Sequence, residues 1–224
     1  TRIGSLLQPE QIVKYGELTL RENQIAYAEP SFFRLFDFEL LKGDKKTCLS
    51  MPGQVVITER IASKYFKDED PIGKIFIFTG AYDKISCEVT GVMKEMPSNS
   101  HIHYSFLISY KSLPKYMQEY WYKHEAYTYV LLDSPERKAE IEREFPVMAE
   151  KYKTDEALKN KTWGVSLIPL ADIHLTPQVG YEAETKGNRS SMIALIFAAI
   201  AILAIAWINY INLAVARSME RAKE

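Results

Sequence analysis

The sequence predicts an α+β fold: a mixed-sheet extracytoplasmic domain followed by one transmembrane helix. Three observations carry this reading. Residues 192–216, MIALIFAAIAILAIAWINYINLAVA, hold no charge, no Pro and no Gly. At about 1.5 Å per residue they reach about 37 Å, enough to cross a hydrocarbon core of about 30 Å with some tilt. Upstream, Ile85, Cys87 and Val89 alternate with Ser86, Glu88 and Thr90, as on a half-buried strand. Amphipathic stretches of helical period are interleaved with such strands without a regular βαβ alternation, which favours α+β.

Taken in order, residues 11–29 read as two extended pieces, QIVKYGELTL and NQIAYAEP, broken by a polar turn at RENQ. In SFFRLFDFELLKGD the residues Phe32, Phe33, Leu35, Phe36, Leu40 and Leu41 follow a helical rhythm up to Gly43. Val55, Val56 and Ile57 form a short buried strand. Thr58 then caps a helix, ERIASKYF, whose Ile61, Ala62, Tyr65 and Phe66 share one face. Pro71-Ile72-Gly73-Lys74 turns the chain into the strand KIFIFT. Ile102, Tyr104, Phe106 and Ile108 repeat the alternating pattern, and AYTYVLLD follows as a further strand.

Ser134 and Pro135 open a helix with Ile141, Phe145, Met148 and Tyr152 on one side, which Pro146 should kink or split. Strand-like VSLIPL and the turn LADIHLTP close the domain. The division expected is a domain over 1–187, a membrane helix over 188–216 and the start of a cytoplasmic segment over 217–224. Arg217, Arg221 and Lys223 crowd the end of the helix, whereas only Lys186 and Arg189 lie in the ten residues before the apolar run at Met192, a small excess that places the C-terminus inside.

A net charge of −1 gives no electrostatic case for nucleic acid. Cys48 and Cys87 are the only cysteines; two cannot define a disulfide scaffold, and whether they pair stays open. No phosphate-binding Gly loop, nucleophile elbow or HExxH occurs. No enzymatic activity and no cofactor are therefore expected. His101-x-His103 could ligate a metal from one side of a strand, but a solvated strand face explains the pair as well. Tyr116, Tyr120, Trp121, Tyr122, Tyr127 and Tyr129 form either a partner platform or ordinary packing. Glu136, Glu140 and Glu144 fall on a solvent face and need no catalytic role.

Within the apolar helix, Asn209 and Asn212 share a face, and Ala194, Ala198 and Ala201 form a stripe of small side chains. Such positions suit packing in a helix bundle; a lone anchor is the alternative.

YAEPSFFRLFDFELLKGD, VVITERIASKYFKDEDPIGK and EVTGVMKEMPSNSHIHYSFLIS together resemble the MacB-type periplasmic core domain. LIPLADIHL before the helix and INYINLAVARSMERAKE at its end resemble the second transmembrane junction of FtsX-like ABC transporter permeases. The resemblance implies a permease of the bacterial inner membrane that couples ATP hydrolysis by a separate ATPase to export or mechanotransmission. It implies as partners an ABC ATPase subunit on the cytoplasmic side, a second permease copy, membrane lipid and a periplasmic partner. Arg217, Arg221 and Lys223 would begin the coupling flank. The chain starts at Thr1 and stops where the ATPase-contacting segment is expected, so a fragment of a longer permease is anticipated, with another transmembrane helix upstream. A single-span membrane-anchored sensor or binding module is the alternative function.

Overall fold

The alternating stretches pair into one mixed sheet. The computed structural model describes residues 1–4, 10–80, 84–118, 126–153, 158, 161–162, 164–173 and 189–221, in two units, Thr1–Leu167 and Ile168–Glu224. The strands of the first unit are β1 (Arg2–Gly4), β2 (Glu10–Tyr15), β3 (Leu18–Asn23), β4 (Ile25–Ala28), β5 (Leu40–Lys42), β6 (Gln54–Thr58), β7 (Ile75–Thr79), β8 (Lys84–Met93), β9 (Phe106–Ser109) and β10 (Ala126–Thr128). They run in the order β10-β1-β4-β9-β6-β8-β7-β2-β3, with β5 against β8. The β4/β9 and β6/β8 pairs are parallel and the others antiparallel.

The long strand β8 is where the sheet forks. Its first half pairs with β7 through Lys84–Glu88 and its last residues, Val92 and Met93, pair with β5. Thr90 makes the change: Val55 of β6 opposes Val89 while Val56 opposes Gly91, so Thr90 is an extra residue in β8. Its Oγ1 donates to the Cys48 carbonyl at 2.6 Å. The fork leaves no room for side chains. A Cβ on Gly43, where φ is +97°, would lie 2.4 Å from the Thr90 carbonyl oxygen; one on Gly91 would lie 3.2 Å from the Lys42 carbonyl.

Neighbouring residues of the central strands point into different clusters, one on each face of the sheet. Val55, Ile57, Phe106 and Ile108 enter the first with Phe76, Phe78 and Cys87. Val56 and Leu107 enter the second with Phe32, Met93 and Cys48. Both thiols are therefore free and buried on different faces of the sheet. The helix α2 (Glu59–Phe66) covers the first face, starting as its cap predicts: the Ile61 amide donates to Thr58 Oγ1. Ile61, Tyr65 and Phe66 are buried, and the Tyr65 and Phe76 rings meet edge-on at 4.9 Å. On the second face Phe32 stacks on Phe38 at 5.6 Å.

Several local expectations are corrected. The first extended piece is a hairpin, since Gly16 at φ +55° turns the chain between Tyr15 and Leu18. The break after β3 is Gln24, held at φ +58°. The helix α1 covers only Phe32–Leu35, because Phe36 is extended and Leu40 joins β5. Ile102 and Tyr104 precede β9 rather than belonging to it, and β9 is buried on both faces. The strand expected over AYTYVLLD is confined to β10.

The short α3 (Lys115–Gln118) precedes β10, and α4 (Arg137–Tyr152) follows it. Pro146 does not split α4. It stands on the exposed side, where the carbonyl four residues earlier can be solvated. VSLIPL forms no strand, and of LADIHLTP the described residues make one 3-10 turn, Leu170–Asp172.

Candidate functional site

Uninterrupted apolar, helix-tolerant residues dictate one long helix, α5 (Arg189–Arg221), 33 residues. Its segment Ser190–Met219 is long and apolar enough to cross a membrane. Every side chain described along it is exposed within the chain. An apolar helix without a covered face is suited to a nonpolar surrounding rather than to water.

The helical advance of about 100° per residue brings the expected packing residues together. Ala194, Ala198, Ala201, Asn209 and Asn212 fall within an arc of about 80° along one side of α5. The alanine stripe and the asparagine pair thus lie on one side, with Ile205 between them at the centre of the arc. Small side chains permit close approach of another helix, and amides at its end can hydrogen-bond across such a contact. Arg217 is exposed near the C-terminal end and Arg221 is the last helical residue; Lys223 lies outside the described residues.

The remaining candidates disperse. His101 and His103 lie on the non-strand approach to β9, and the His101 ring packs 5.6 Å from Tyr129 and 6.3 Å from Phe36. Among the described residues no group of three metal-ligating side chains occurs. Of the aromatic group, Tyr116 is exposed on α3 while Tyr129 packs edge-on against Phe36 at 5.1 Å. Tyr120, Trp121 and Tyr122 lie outside the described residues. Glu136, Glu140 and Glu144 are exposed, and Glu140 pairs with Arg137 at 3.3 Å.

One polar cluster escaped the sequence. Glu22, its side chain 7% exposed, accepts from Lys64 Nζ at 2.6 Å and from the Tyr65 hydroxyl at 2.8 Å. Burial and the Glu22 carboxylate push the Tyr65 hydroxyl well above its ordinary pKa. The cluster ties the β2/β3 hairpin to α2. The only hint was a Glu on the inward side of an alternating strand. At the opposite end of the sheet, Arg2 pairs with Glu29 at 2.7 Å and lies 4.6 Å from the centre of the Tyr110 ring.

One solved structure shares this architecture, and two others resemble it more distantly. A domain assigned to a permease protein from Porphyromonas gingivalis superposes with a TM-score of 0.56 at 20% identity, covering 69% of this chain and 70% of that one. The extracellular domain of the noncanonic ABC-type transporter YknZ from Gram-positive bacteria gives 0.46 at 17% identity, over 70% and 78%. The periplasmic region of MacB from Actinobacillus actinomycetemcomitans gives 0.45 at 14%, over 73% and 77%. No curated protein matches the chain in sequence. The family model for the MacB-like periplasmic core domain matches residues 3–146, taking in β2 through β10 and ending inside α4. With a match over more than half its length, and with the forked mixed sheet inside the matched region, the chain belongs to the MacB-like periplasmic core domain family.

Proposed function

We propose that the chain is part of an ABC-transporter permease subunit in a bacterial inner membrane. The observation that carries this reading is a MacB-like core domain and a membrane-length helix in one chain. Residues 1–187 form the extracytoplasmic domain, 188–216 the membrane helix and 217–224 the start of the cytoplasmic coupling segment. A separate ABC ATPase on the cytoplasmic side supplies the energy, coupled through the helix to export or mechanotransmission. The Ala194-Ala198-Ala201-Asn209-Asn212 line packs against another helix of the permease bundle, from the same subunit or a second copy. The domain meets its substrate or a periplasmic partner outside.

Orientation tests the reading. Single cysteines in place of Glu182 and Ser218 are introduced in the full-length polypeptide in intact cells and treated with a membrane-impermeant thiol reagent. Cysteine at 182 should react at once, and at 218 only after permeabilisation. The reverse pattern overturns the assignment. Co-purification of an ABC ATPase with the full-length permease is expected as well, and its consistent absence argues for an anchored module instead.

A further inference from the structure

The line of small residues and amides on α5 has a counterpart of different chemistry on the other side. Leu203, Trp207, Tyr210 and Arg217 fall within a second arc of about 80°, with Arg189 and Arg221 at register positions on the same line. The centres of the two arcs stand about 160° apart. Trp207 and Tyr210 are 76% and 72% exposed.

The axial spacing has a consequence too. Arg189 and Tyr210 are 21 positions apart, about 31 Å along the axis, which matches a hydrocarbon core of about 30 Å. Tyr210 then stands at the membrane edge with Trp207 just inside it, the levels where amphipathic rings settle. Arg217, about 10 Å further out, reaches the headgroup layer. Glu220 is the one acid of the described C-terminal end, and its register position lies outside this arc.

We propose that the Trp207–Tyr210–Arg217 side of α5, with Arg221 at a register position on it, faces lipid and binds the headgroup of an anionic phospholipid in the C-terminal leaflet. The Ala/Asn line is left for protein. Charge complementarity selects this occupant: two arginines one turn apart on one face, beyond an aromatic pair at the right depth, suit a phosphate-bearing anionic headgroup. The proposal rests on the membrane reading above and adds to it the rotational setting of the helix and a lipid class.

The test uses the whole chain in phosphatidylcholine vesicles, with Trp121→Phe and Trp163→Phe leaving Trp207 as the sole tryptophan. Acyl-brominated phosphatidylglycerol or acyl-brominated phosphatidylcholine is titrated in, and quenching of Trp207 is read. Half-quenching should need several-fold less of the anionic lipid, about fivefold less for each contributing arginine. Arg217→Gln with Arg221→Gln should erase the preference, Arg217→Lys should retain part of it, and Asn209→Leu with Asn212→Leu should leave it unchanged. Equal quenching by the two lipids overturns the proposal, as does a preference that survives loss of both arginines. A chain that fails to float with the vesicles at all overturns the membrane reading itself, and the proposal with it.

Discussion

Ile57 in β6 and Ile200 in α5 carry the same side chain in opposite settings. Ile57 is 0% exposed between strands of the sheet, and Ile200 is 56% exposed on the helix. Burying such a side chain is worth about 1.5–3 kcal/mol, so the first unit draws its stability from its own interior. Along α5 the same apolar surface is offered outward over the length of a bilayer. The difference teaches that burial, not residue type, separates the two regions: the strands cover their apolar side chains within the first unit, whereas α5 carries a continuous apolar surface of the kind that suits hydrocarbon.

The sharpest break of that comparison is to separate the regions. Residues 1–187 alone should be soluble, monomeric and cooperatively folded, while the whole chain should require lipid or detergent. Persistent insolubility of the shorter chain, with no cooperative melt, would remove the idea of an independent domain. Next in size, Phe76→Ala empties a fully buried site where Tyr65 and Phe106 meet the ring. It should cost the domain about 3–5 kcal/mol in denaturant unfolding. Phe197→Ala on exposed α5 should leave the domain's unfolding unchanged, and equal losses would defeat the contrast.

A smaller effect is set by pH. The folded Tyr65 hydroxyl holds its proton above the ordinary value of 10.0. The stability it lends is therefore complete below pH 10 and is lost as the pH rises further, by at most about 1.4 kcal/mol per pH unit. Melting profiles from pH 9 to 11 should fall less steeply for Tyr65→Phe than for the parent; identical profiles would separate the burial of this hydroxyl from alkaline unfolding.

The smallest change is expected in the membrane. Asn209→Leu with Asn212→Leu should preserve insertion but impair assembly or ATPase activity of the full-length permease reconstituted with its ATPase. Each interhelical hydrogen bond is worth about 0.5–2 kcal/mol. Parent-level activity would favour a lone anchor.

What could be read directly was whatever is local. The Thr58 cap, the amphipathic face of α2 and the uncharged run of α5 each lie within one stretch of chain, and the structure keeps them. The hairpin at Gly16 was hidden because apolar residues on both sides of it read as one strand. Phe32 to Leu41 satisfies a helical period, yet Phe36 is extended, since aromatic side chains suit a pleated surface as well. In β9 burial on both faces erases the alternation that marks a strand. The Glu22–Lys64–Tyr65 cluster joins residues more than forty positions apart, which no spacing rule reaches. On α5 the shared side of the alanines and asparagines was legible, since a straight helix converts sequence spacing directly into angle.

The placement of Cys48 and Cys87 on opposite faces of the sheet makes the domain indifferent to its redox surroundings. Cys48 is 2% exposed and Cys87 0%, so a disulfide between them would have to pass through the sheet. Burial pushes their thiols up to about 11 and about 12, away from the reactive thiolate form at neutral pH. Once folded, the domain offers neither thiol to an oxidant. It should reach the same structure, and keep it, in reducing cytosol and in an oxidising compartment alike.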